Sequence, residues 1–409
     1  MVRGVLVVGE FLKVLNYKDA HAQLKHNFAQ PGVESISLQT SLNRRLACEL
    51  KSPEDMPSFS RSTVDGYAVS AEDTFGSSES LPAFLNLTGE VQMGTRPDLK
   101  INSGQCCWIP TGGMLPAGTN AAVMVEYTEK LGEDTVLVYR PAAPGENVMH
   151  KGEDVQCGQI LFKQGWKIRA QDIGLLASLG ITDVPVYKAY NIGIISTGDE
   201  IVPIDIKPAI GQVRDVNSHA IAAAANVCGA NVNLYPIVKD NMTALKDTIA
   251  VALAENDFLV MSGGSSVGIL DMTLNVLLSF PDSELLFHGI AFKPGKPTMA
   301  VRIGKQTVIG LPGHPVSALM VFNILCAPII CFDDQTVLEA LLKGNLASQA
   351  GRDDFIPVQL DSENGNRIAR PLLGKSGLMS ILALADGYIH IPYEKQGLEA
   401  GDKVRVFLF

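Results

Sequence analysis

From residue 191 onward the chain alternates short apolar segments, typical of β-strands, with longer segments that have helical periodicity. The strand-like segments are 192–196, 232–238 and 258–261, and the helical ones between them are 218–227 and 243–254. Strands that alternate with helices form βαβ units with a parallel sheet between helices. A further helix is predicted near 315–332, with Pro315 at a first helical position. The pattern predicts a doubly wound α/β domain over residues 187–333.

Three loops of this domain follow predicted strands and carry polar residues. In open parallel sheets ligands bind beyond the carboxyl ends of the strands, so we expect the three loops to converge on one crevice. One of them is rich in glycine, and consecutive backbone N–H groups in such loops bind anions. The loops are Ser-Thr-Gly-Asp-Glu at 196–200, Lys-Asp-Asn at 239–241 and Ser-Gly-Gly-Ser-Ser-Val-Gly at 262–268.

A short lysine turn, Lys-Pro-Gly-Lys-Pro at 293–297, lies between two strand-like runs. Pro294 and Gly295 suit the two central positions of a type II turn, which would bring Lys293 close to Lys296. Two ammonium groups held together need an anion. A turn of this kind is more often a solvated surface turn, but beside a glycine-rich loop it favours an enzyme that handles phosphates or another oxyanion.

Four acidic residues lie on or near the same predicted sheet edge: Asp199, Glu200, Asp240 and Asp271. Each alone is more often a helix cap or a solvated charge. Carboxylates beside a phosphate-binding loop suit Mg²⁺, which proteins usually share with substrate phosphates. Together with the glycine-rich loop and the lysine turn, they favour a functional crevice.

Composition limits the class of protein. A chain of 409 residues is expected to hold two to four domains. A net charge of −10 disfavours a protein whose main partner is nucleic acid, because such binding rests on clustered basic residues. The apolar stretch 318–332 contains Asn323 and is too short for a membrane span, and the first residues do not have the pattern of a secretory signal. The seven cysteines form no metal-binding pattern, which favours reduced thiols in the cytoplasm.

The segments that flank the α/β domain have other patterns. Tyr17, Ala20, Leu24 and Phe28 follow a helical stripe, and residues 53–148 contain short apolar runs between turns, which indicates a β-rich module. Alternating residues after 334 predict a small antiparallel barrel or sandwich. Within the β-rich module, Asp65-Gly66 between Val64 and Tyr67 is by itself a hairpin signal.

With these residues laid out, the chain closely resembles the molybdopterin molybdenumtransferases, the molybdenum insertases that include the C-terminal domain of gephyrin. The similarity extends over nearly the whole chain and its motifs occur in the family's order. They are Pro57 with Ser-Thr-Val-Asp-Gly-Tyr-Ala-Val at 62–69, Pro-Thr-Gly-Gly at 110–113, Gly-Glu-Asp at 152–154, the segments at 196–200, 262–268 and 293–297, and Leu-Pro-Gly-His-Pro-Val-Ser-Ala at 311–318.

The resemblance implies four domains and a homodimer. A linking domain would comprise residues 1–56 and 151–186, an inserted β-rich domain residues 57–150, an α/β molybdopterin-binding domain residues 187–333, and a C-terminal β-barrel residues 334–409. The site would lie where the α/β domain of one subunit faces the inserted domain of the other.

The resemblance also implies a Mg²⁺-dependent reaction in which molybdate is inserted into adenylylated molybdopterin and AMP is released. The catalytic residues would be Asp65, Asp154, Asp199, Glu200, Lys293 and Lys296. The residues that bind the substrate would be Thr111, Thr197, Gly198, Asp240, Ser262, Gly263, Gly264, Ser265, Ser266, Asp271, Pro312 and Ser317. The Mg²⁺ ligands would be Asp199, Glu200, Asp240 and Asp271.

Two alternatives stay open at the level of sequence. One is an enzyme like the adenylyltransferase that activates molybdopterin, and the other is a non-catalytic scaffold that binds the cofactor or partner proteins. The chain also departs from the family at Ile269 and Met272, where a glutamate and an aromatic residue are common, and at His150-Lys151, where arginines are frequent. Molybdate and tungstate have nearly the same size and charge, so the sequence does not distinguish them.

Overall fold

The computed structural model describes residues 14–263, 267–332 and 335–409, and for residues 267–271 it describes the backbone. Contacts divide the chain into two compact units. One is Glu34–Val186, and the other combines the described residues up to Val33 with Tyr187–Phe409.

The α-helices of the described residues are α1 (Tyr17–Asn27), α2 (Ala170–Ser178), α3 (Asn217–Val227), α4 (Met242–Glu255), α5 (Val267–Leu278), α6 (Pro315–Val321), α7 (Ala327–Ile330) and α8 (Met379–Ala383). A π-helical turn, Phe322–Cys326, joins α6 to α7. The predicted helix near 315–332 is therefore present, and proline stands in its first turn as expected.

The strands of the first part of the chain are β1 (Val33–Ser37), β2 (Leu50–Lys51), β3 (Arg61–Ser62), β4 (Gly66–Val69), β5 (Ala83–Glu90), β6 (Gln105–Ile109), β7 (Ala121–Met124), β8 (Thr128–Leu131), β9 (Thr135–Val138), β10 (Val148–Met149), β11 (Ile160–Phe162) and β12 (Asp183–Tyr187). Those of the α/β region are β13 (Asn191–Thr197), β14 (Ile201–Val202), β15 (Val213–Arg214), β16 (Asn231–Leu234), β17 (Phe258–Gly263), β18 (Ser283–His288), β19 (Phe292–Lys293), β20 (Met299–Ile303) and β21 (Gln306–Leu311). The last are β22 (Val337–Leu342), β23 (Leu346–Ala347), β24 (Asp353–Glu363), β25 (Asn366–Pro371), β26 (Gly387–Ile391), β27 (Gly397–Leu398) and β28 (Lys403–Leu408).

The α/β region is built on a six-stranded sheet of order β16-β13-β17-β21-β20-β18. Strands β16, β13, β17 and β21 are parallel, as the alternating pattern predicts. The strands β18 and β20, which flank the lysine turn, pair antiparallel at one edge. The sheet is therefore mixed, and its parallel part carries the predicted loops.

Side chains on the two faces of this sheet pack into separate cores. Ile192, Ile194 and Phe258 belong to a core with α3 and α6, whereas Ile195 and Leu259 belong to a core with α4 and α5. This alternation follows from the period of two along a strand. Helices thus cover both faces, which confirms the doubly wound architecture.

The stripe predicted for the first helix is also present. Ala20, Leu24 and Phe28 are buried in the same core as Phe258, and the ring centroids of Phe28 and Phe258 lie 4.5 Å apart. Helix α1 therefore packs in the unit that holds the α/β sheet. The domain boundaries given from the sequence stay predictions.

The C-terminal region forms a closed five-stranded β-barrel, as the alternating residues indicate. Strands β24, β25, β22, β28 and β26 pair in that order, and β26 closes the barrel on β24. Val358, Ala369, Ile389, Ile391 and Val406 fill its interior.

The unit Glu34–Val186 contains the β-rich module, with a six-stranded sheet of order β7-β4-β6-β5-β9-β8. Its core residues lie between Val64 and Ala142, whereas a separate core combines residues from Ile36–Leu50 with residues from Leu161–Val186. The local signal at Asp65-Gly66 does not produce a hairpin: β3 pairs with β10, and β4 pairs with β6 and β7. Long-range pairing outweighs the local turn signal here.

No helix in the described residues is long and apolar enough to cross a membrane. In the β-rich module, burial raises the pKa of the Cys106 and Cys107 thiols to about 12. These two thiols are therefore protonated at neutral pH and behave as apolar core residues.

Two glycines of this unit give opposite predictions for stability. A Cβ at Gly66 would lie 1.9 Å from the carbonyl oxygen of Val123, whereas a Cβ at Gly174, inside α2, meets nothing within 4 Å. We expect Gly66→Ala to lower the free energy of unfolding by about 2–3 kcal/mol, because the neighbouring strand must shift. Gly174→Ala should raise it by about 0.5–1 kcal/mol. Urea unfolding of both variants measures the difference, and a stable Gly66→Ala protein would contradict the strand register.

Candidate functional site

The ends of three neighbouring chain segments meet at the carboxyl edge of the parallel sheet. In the pairing of β13 with β17, Thr197 lies beside Gly263, and Thr197 also forms a bridge to Val238. The loops that begin at residues 198, 239 and 262 are therefore adjacent. This crevice brings together the predicted residues Thr197, Gly198, Asp199, Glu200, Asp240, Ser262 and Gly263.

Glycine is required where two of these loops approach each other. Gly263 has φ +135°, and a Cβ on it would lie 1.8 Å from the carbonyl oxygen of Thr197. No larger residue fits without moving β13 or β17. Gly264, Ser265 and Ser266, predicted to continue the anion-binding loop, lie outside the described residues.

Two carboxylates adjoin in the crevice. The backbone N–H of Asp240 donates to Asp199 Oδ1 over 3.2 Å, and Thr197 Oγ1 donates to Asp240 Oδ1 over 3.4 Å. Burial raises the pKa of the Asp240 carboxyl, and the negative charges of Asp199 and Glu200 add to this effect. The crevice therefore holds negative charge that a cation would stabilise.

Lys239 does not neutralise these carboxylates. Its Nζ donates to the carbonyl oxygens of Asp199 at 2.8 Å and Ile201 at 3.3 Å. The ammonium group thus fixes the backbone of the loop at 198–201. Sequence reasoning placed this lysine in the crevice loops but gave it no role.

The carboxylates of the crevice are of the type that Mg²⁺ prefers in proteins, but the arrangement of the described ones does not form a metal site. Among the residues whose side chains are described, no group of three or more acidic, His or Cys residues could hold a metal ion. The side chain of Asp271, the fourth predicted ligand, lies outside that set, although its backbone belongs to α5.

Asn217, at the start of α3, connects the crevice to the turn before α6. Its Nδ2 donates to Ser262 Oγ over 2.7 Å and to the carbonyl oxygen of Gly313 over 2.9 Å. The turn also contains Pro312, which is buried, and Ser317 lies buried in the first turn of α6. Nothing in the local sequence around Asn217 indicated this link.

The lysine turn begins at the end of β19, a short strand that pairs with β24 of the C-terminal barrel. Gly295 has φ +118°, which agrees with the expected positive φ at this position, and the Lys293–Pro294 peptide bond is cis. A Cβ on Gly295 would lie 2.3 Å from Val321 Cγ2, so the turn packs closely on α6. Lys293 and Lys296 are both exposed.

Both lysines line a large cleft, which we call the cationic cleft. Its volume is about 1510 Å³, and its walls come from the lysine turn, the start of α6 and two segments of the C-terminal barrel region. The charged residues in its described lining are Lys293, Lys296, Arg352, Lys375 and Asp354. Four basic side chains thus face one carboxylate in a chain whose net charge is −10. Such a surface attracts anions.

Arg352 and Lys375 were not predicted from the sequence. They reach the cleft because β24 pairs in parallel with β19, so that Asp354 lies beside Lys293. The backbone N–H of Val316 also donates to the carbonyl oxygen of Ser376 over 3.0 Å. These contacts join segments that are far apart in the chain, and no local sequence pattern predicts them.

In the other unit, Asp65 and Thr111 lie together. Asp65 is exposed, and its Oδ1 accepts a hydrogen bond of 2.7 Å from the backbone N–H of Thr111. That bond lowers the pKa of the Asp65 carboxyl, which is therefore ionised at neutral pH. Asp65 precedes β4 and is available for a ligand.

Asp154 is exposed in a loop of the same unit, and its backbone N–H donates to the carbonyl oxygen of Met56 over 3.1 Å. Lys151, which stands where the family often has arginine, forms an ion pair of 3.3 Å with Asp55. The backbone N–H of Cys157 and then Lys151 lower the pKa of the Asp55 carboxyl. Lys151 is thus paired with Asp55, a residue of the same unit.

Three models of known protein families match most of the chain. The model of the MoeA N-terminal region (domain I and II) matches residues 15–180, that of the probable molybdopterin binding domain residues 193–331, and that of the MoeA C-terminal region (domain IV) residues 339–409.

Similar proteins match over most of their lengths. A putative molybdopterin biosynthesis protein of Methanocaldococcus jannaschii is 37% identical over 92% of each chain. The molybdopterin molybdenumtransferase of Nostoc sp. is 34% identical over 74% of this chain and 70% of its own. The crystal structure of a molybdopterin biosynthesis MoeA protein from Pyrococcus horikoshii superposes with a TM-score of 0.85, at 36% identity, over 97% of this chain and 99% of that one.

The carboxylates of the crevice generate a prediction about stability. Asp240→Asn keeps an oxygen that accepts from Thr197 but removes a charge that burial and Asp199 disfavour. With a chelator present at pH 7, we expect the melting temperature to rise by about 1–3 °C. Added Mg²⁺ should stabilise the wild type more than the variant, because the variant has lost a carboxylate.

Asp247→Asn is the matched control, since it removes the same charge from an exposed position on α4. It should change neither the melting temperature with chelator nor the response to Mg²⁺. A lower melting temperature for Asp240→Asn in chelator would show that Asp240 is compensated in the folded protein and would contradict this account.

Proposed function

The chain belongs to the MoeA family and is a molybdopterin molybdenumtransferase of molybdenum cofactor biosynthesis, and from this premise we propose that it inserts molybdate into adenylylated molybdopterin with release of AMP. Water attacks the phosphoanhydride of the substrate and AMP leaves. The two dithiolene sulfurs replace one oxo ligand of molybdate, which takes up the two thiol protons and leaves as water. The protein acts in the cytoplasm on diffusible substrates.

The observation that carries the proposal is the charge of the cationic cleft. Lys293, Lys296, Arg352 and Lys375 converge there although the chain as a whole is strongly acidic. Molybdate is a tetrahedral dianion, and the substrate carries two linked phosphates. Both need positive charge in a place from which water is partly excluded, since electrostatic interactions are stronger there.

The lysines of the turn bind molybdate or neutralise the phosphate oxygens as the anhydride bond breaks. Fixed cations near those oxygens stabilise the charge that develops on them and need no rearrangement during the reaction. Arg352 adds a planar fork that holds two oxyanion atoms at once, which lysine does not provide. Pro312 and Ser317 shape the wall beside them.

The crevice binds the rest of the substrate. Backbone N–H groups of the loop from Ser262 to Ser266 hold the pterin phosphate, and Thr197 and Gly198 form the facing wall. Asn217 connects the crevice with the cleft through Ser262 and Gly313, which supports one continuous binding site. His314, next to Gly313, lines the cleft.

We assign Mg²⁺ to Asp199, Glu200, Asp240 and Asp271. Burial and then the negative charge of Asp199 raise the pKa of the Asp240 carboxyl, and a bound cation would offset both effects, which supports this assignment. When bound, Mg²⁺ would polarise a phosphate oxygen and offset the charge of the leaving AMP. Lys239 keeps the loop of Asp199 in place in either state.

We further propose that the protein is a homodimer, in which the inserted domain of one subunit completes the site of the other. Asp65, Thr111 and Asp154 then face the substrate. The support is that Asp65 and Asp154 are exposed, and that Asp65 is ionised and held by Thr111. An exposed, oriented carboxylate is suited to a ligand more than to a core.

The reaction is tested by giving the purified protein adenylylated molybdopterin, Mg²⁺ and either molybdate or tungstate, without nucleoside triphosphate. We expect AMP release that depends on the oxyanion, and comparison of the two oxyanions ranks the metals. Binding of the substrate without AMP release under these conditions would contradict the proposal and favour a scaffold.

Asp65→Ala should reduce AMP release by about 100-fold or more, because a fixed charge beside the substrate is lost. The melting temperature should change by no more than about 2 °C, since Asp65 is exposed. The matched control is Asp73→Ala. Asp73 also accepts from a backbone N–H of another loop, that of Gly104 at 2.8 Å, but has no proposed role. It should keep full turnover, and normal turnover by Asp65→Ala would refute its place in the site.

The shared site predicts complementation between two inactive variants. Asp65→Ala and Lys293→Ala, mixed in equal amounts under conditions that allow subunit exchange, form heterodimers in half of the pairs. Each heterodimer has one site in which both residues are intact, so about a quarter of wild-type activity should return. If each site lies within one subunit, mixing will restore no activity.

A further inference from the structure

We propose that Asp354 is a positioning residue that fixes the guanidinium of Arg352 for oxyanion binding in the cationic cleft. The inference rests on the proposed function, because it takes molybdate as the anion. It adds a residue that touches neither substrate but sets the geometry of one that does.

Both carboxylate oxygens of Asp354 accept hydrogen bonds. Oδ1 accepts from Arg352 Nε over 2.8 Å, and Oδ2 accepts from Arg352 Nη2 over 3.4 Å and from Ser348 Oγ over 3.0 Å. Asp354 is 4% exposed, whereas the side chain of Arg352 is 34% exposed. The carboxylate is thus a buried support for a guanidinium that reaches the cleft.

This side-on pairing decides which edge of Arg352 remains available. A guanidinium has five N–H groups in one plane, and the pair with Asp354 uses Nε and one N–H of Nη2. The edge formed by Nη1 and the second N–H of Nη2 remains available, and no described residue accepts a hydrogen bond from it. That edge has the spacing that binds two oxygens of a tetrahedral anion.

The pairing of β24 with β19 fixes the position of Asp354 and also that of Lys293, the first residue of the lysine turn. Asp354 is the register partner of Lys293 in the pairing of β24 with β19, and the backbone N–H of Asp353 donates to the carbonyl oxygen of Ala291 over 2.9 Å. Arg352 immediately precedes β24, so this pairing also places it near Lys293 on β19. A guanidinium fixed there presents its free edge to the cleft that both residues line.

A purely structural ion pair is the alternative explanation. It would make Asp354 important for stability and equally important for every substrate. A positioning role instead predicts an effect on the oxyanion alone, and an effect that depends on Arg352. These two consequences separate the explanations.

The test uses Asp354→Asn in the full chain, which keeps the shape but replaces an acceptor with a donor that faces Arg352. At saturating adenylylated molybdopterin, the KM for molybdate should rise about tenfold, the cost of losing a charge-assisted hydrogen bond. The KM for adenylylated molybdopterin should stay within about twofold. Ser348→Ala, a milder change that removes one bond to Asp354, should raise the molybdate KM about two- to threefold.

A double-mutant cycle with Arg352→Lys decides whether Asp354 acts through Arg352. If it does, Asp354→Asn adds little to the effect of Arg352→Lys, so the double variant resembles the single one. Asp361→Asn is the control, since Asp361 pairs with Arg370 at 3.2 Å on an exposed part of the same barrel. It should leave both KM values unchanged.

Equilibrium dialysis of molybdate against each protein gives a readout that needs no turnover. Binding about tenfold weaker in Asp354→Asn, with wild-type binding in Asp361→Asn, supports the inference even if AMP release is absent and the proposed function fails. An unchanged molybdate affinity in Asp354→Asn, or additive effects in the double variant, would overturn the inference while molybdate-dependent AMP release by the wild type left the proposed function intact.

Discussion

The close parallel pairing of β13 with β17 is the constraint on which the crevice depends. At the carboxyl edge Thr197 lies directly beside Gly263, and the space between them excludes even one methyl group. Because the strands stay this close to their ends, the loops that follow begin next to each other. The bridge between Thr197 and Val238 brings the third loop alongside, so that the backbone N–H of Asp240 donates to the Asp199 carboxylate. A larger residue at 263 would separate the loops before it affected any side chain that binds a ligand.

Two regions of opposite charge result within one unit. The crevice gathers the carboxylates of Asp199, Glu200 and Asp240, and the cationic cleft gathers basic groups around a single carboxylate. A substrate that combines phosphates, a divalent cation and an oxyanion is complementary to both. The Asn217 side chain joins the two regions, because it donates to Ser262 Oγ in the crevice and to the carbonyl oxygen of Gly313 beside the cleft.

The sequence predicted those parts of the fold that depend on local periodicity. Strand β13, helix α4 and the long helix from Pro315 all follow patterns of period two or 3.6. The loops at the parallel strand ends could be assigned to one crevice because parallel topology places them there. The pairing of strands that are far apart in the chain could not be predicted from local periodicity. The turn signal at Asp65-Gly66, taken alone, favours a hairpin, whereas β4 finds its partners about 40 to 55 residues downstream, in β6 and β7.

Long-range pairing also explains why Arg352 and Lys375 of the cationic cleft were not predicted from the sequence. It further shows what the barrel contributes to the candidate site. Arg352 stands in a short run with two aspartates, a sequence that on its own indicates a solvated turn. Its position follows from the pairing of β24 with β19, which connects the barrel strand to the segment that carries Lys293. Because the barrel is closed, β24 has partners on both sides and holds Asp354 in a fixed place. The barrel is therefore one wall of the candidate site, and the pairing of β24 with β26 and β19 fixes the position of Asp354.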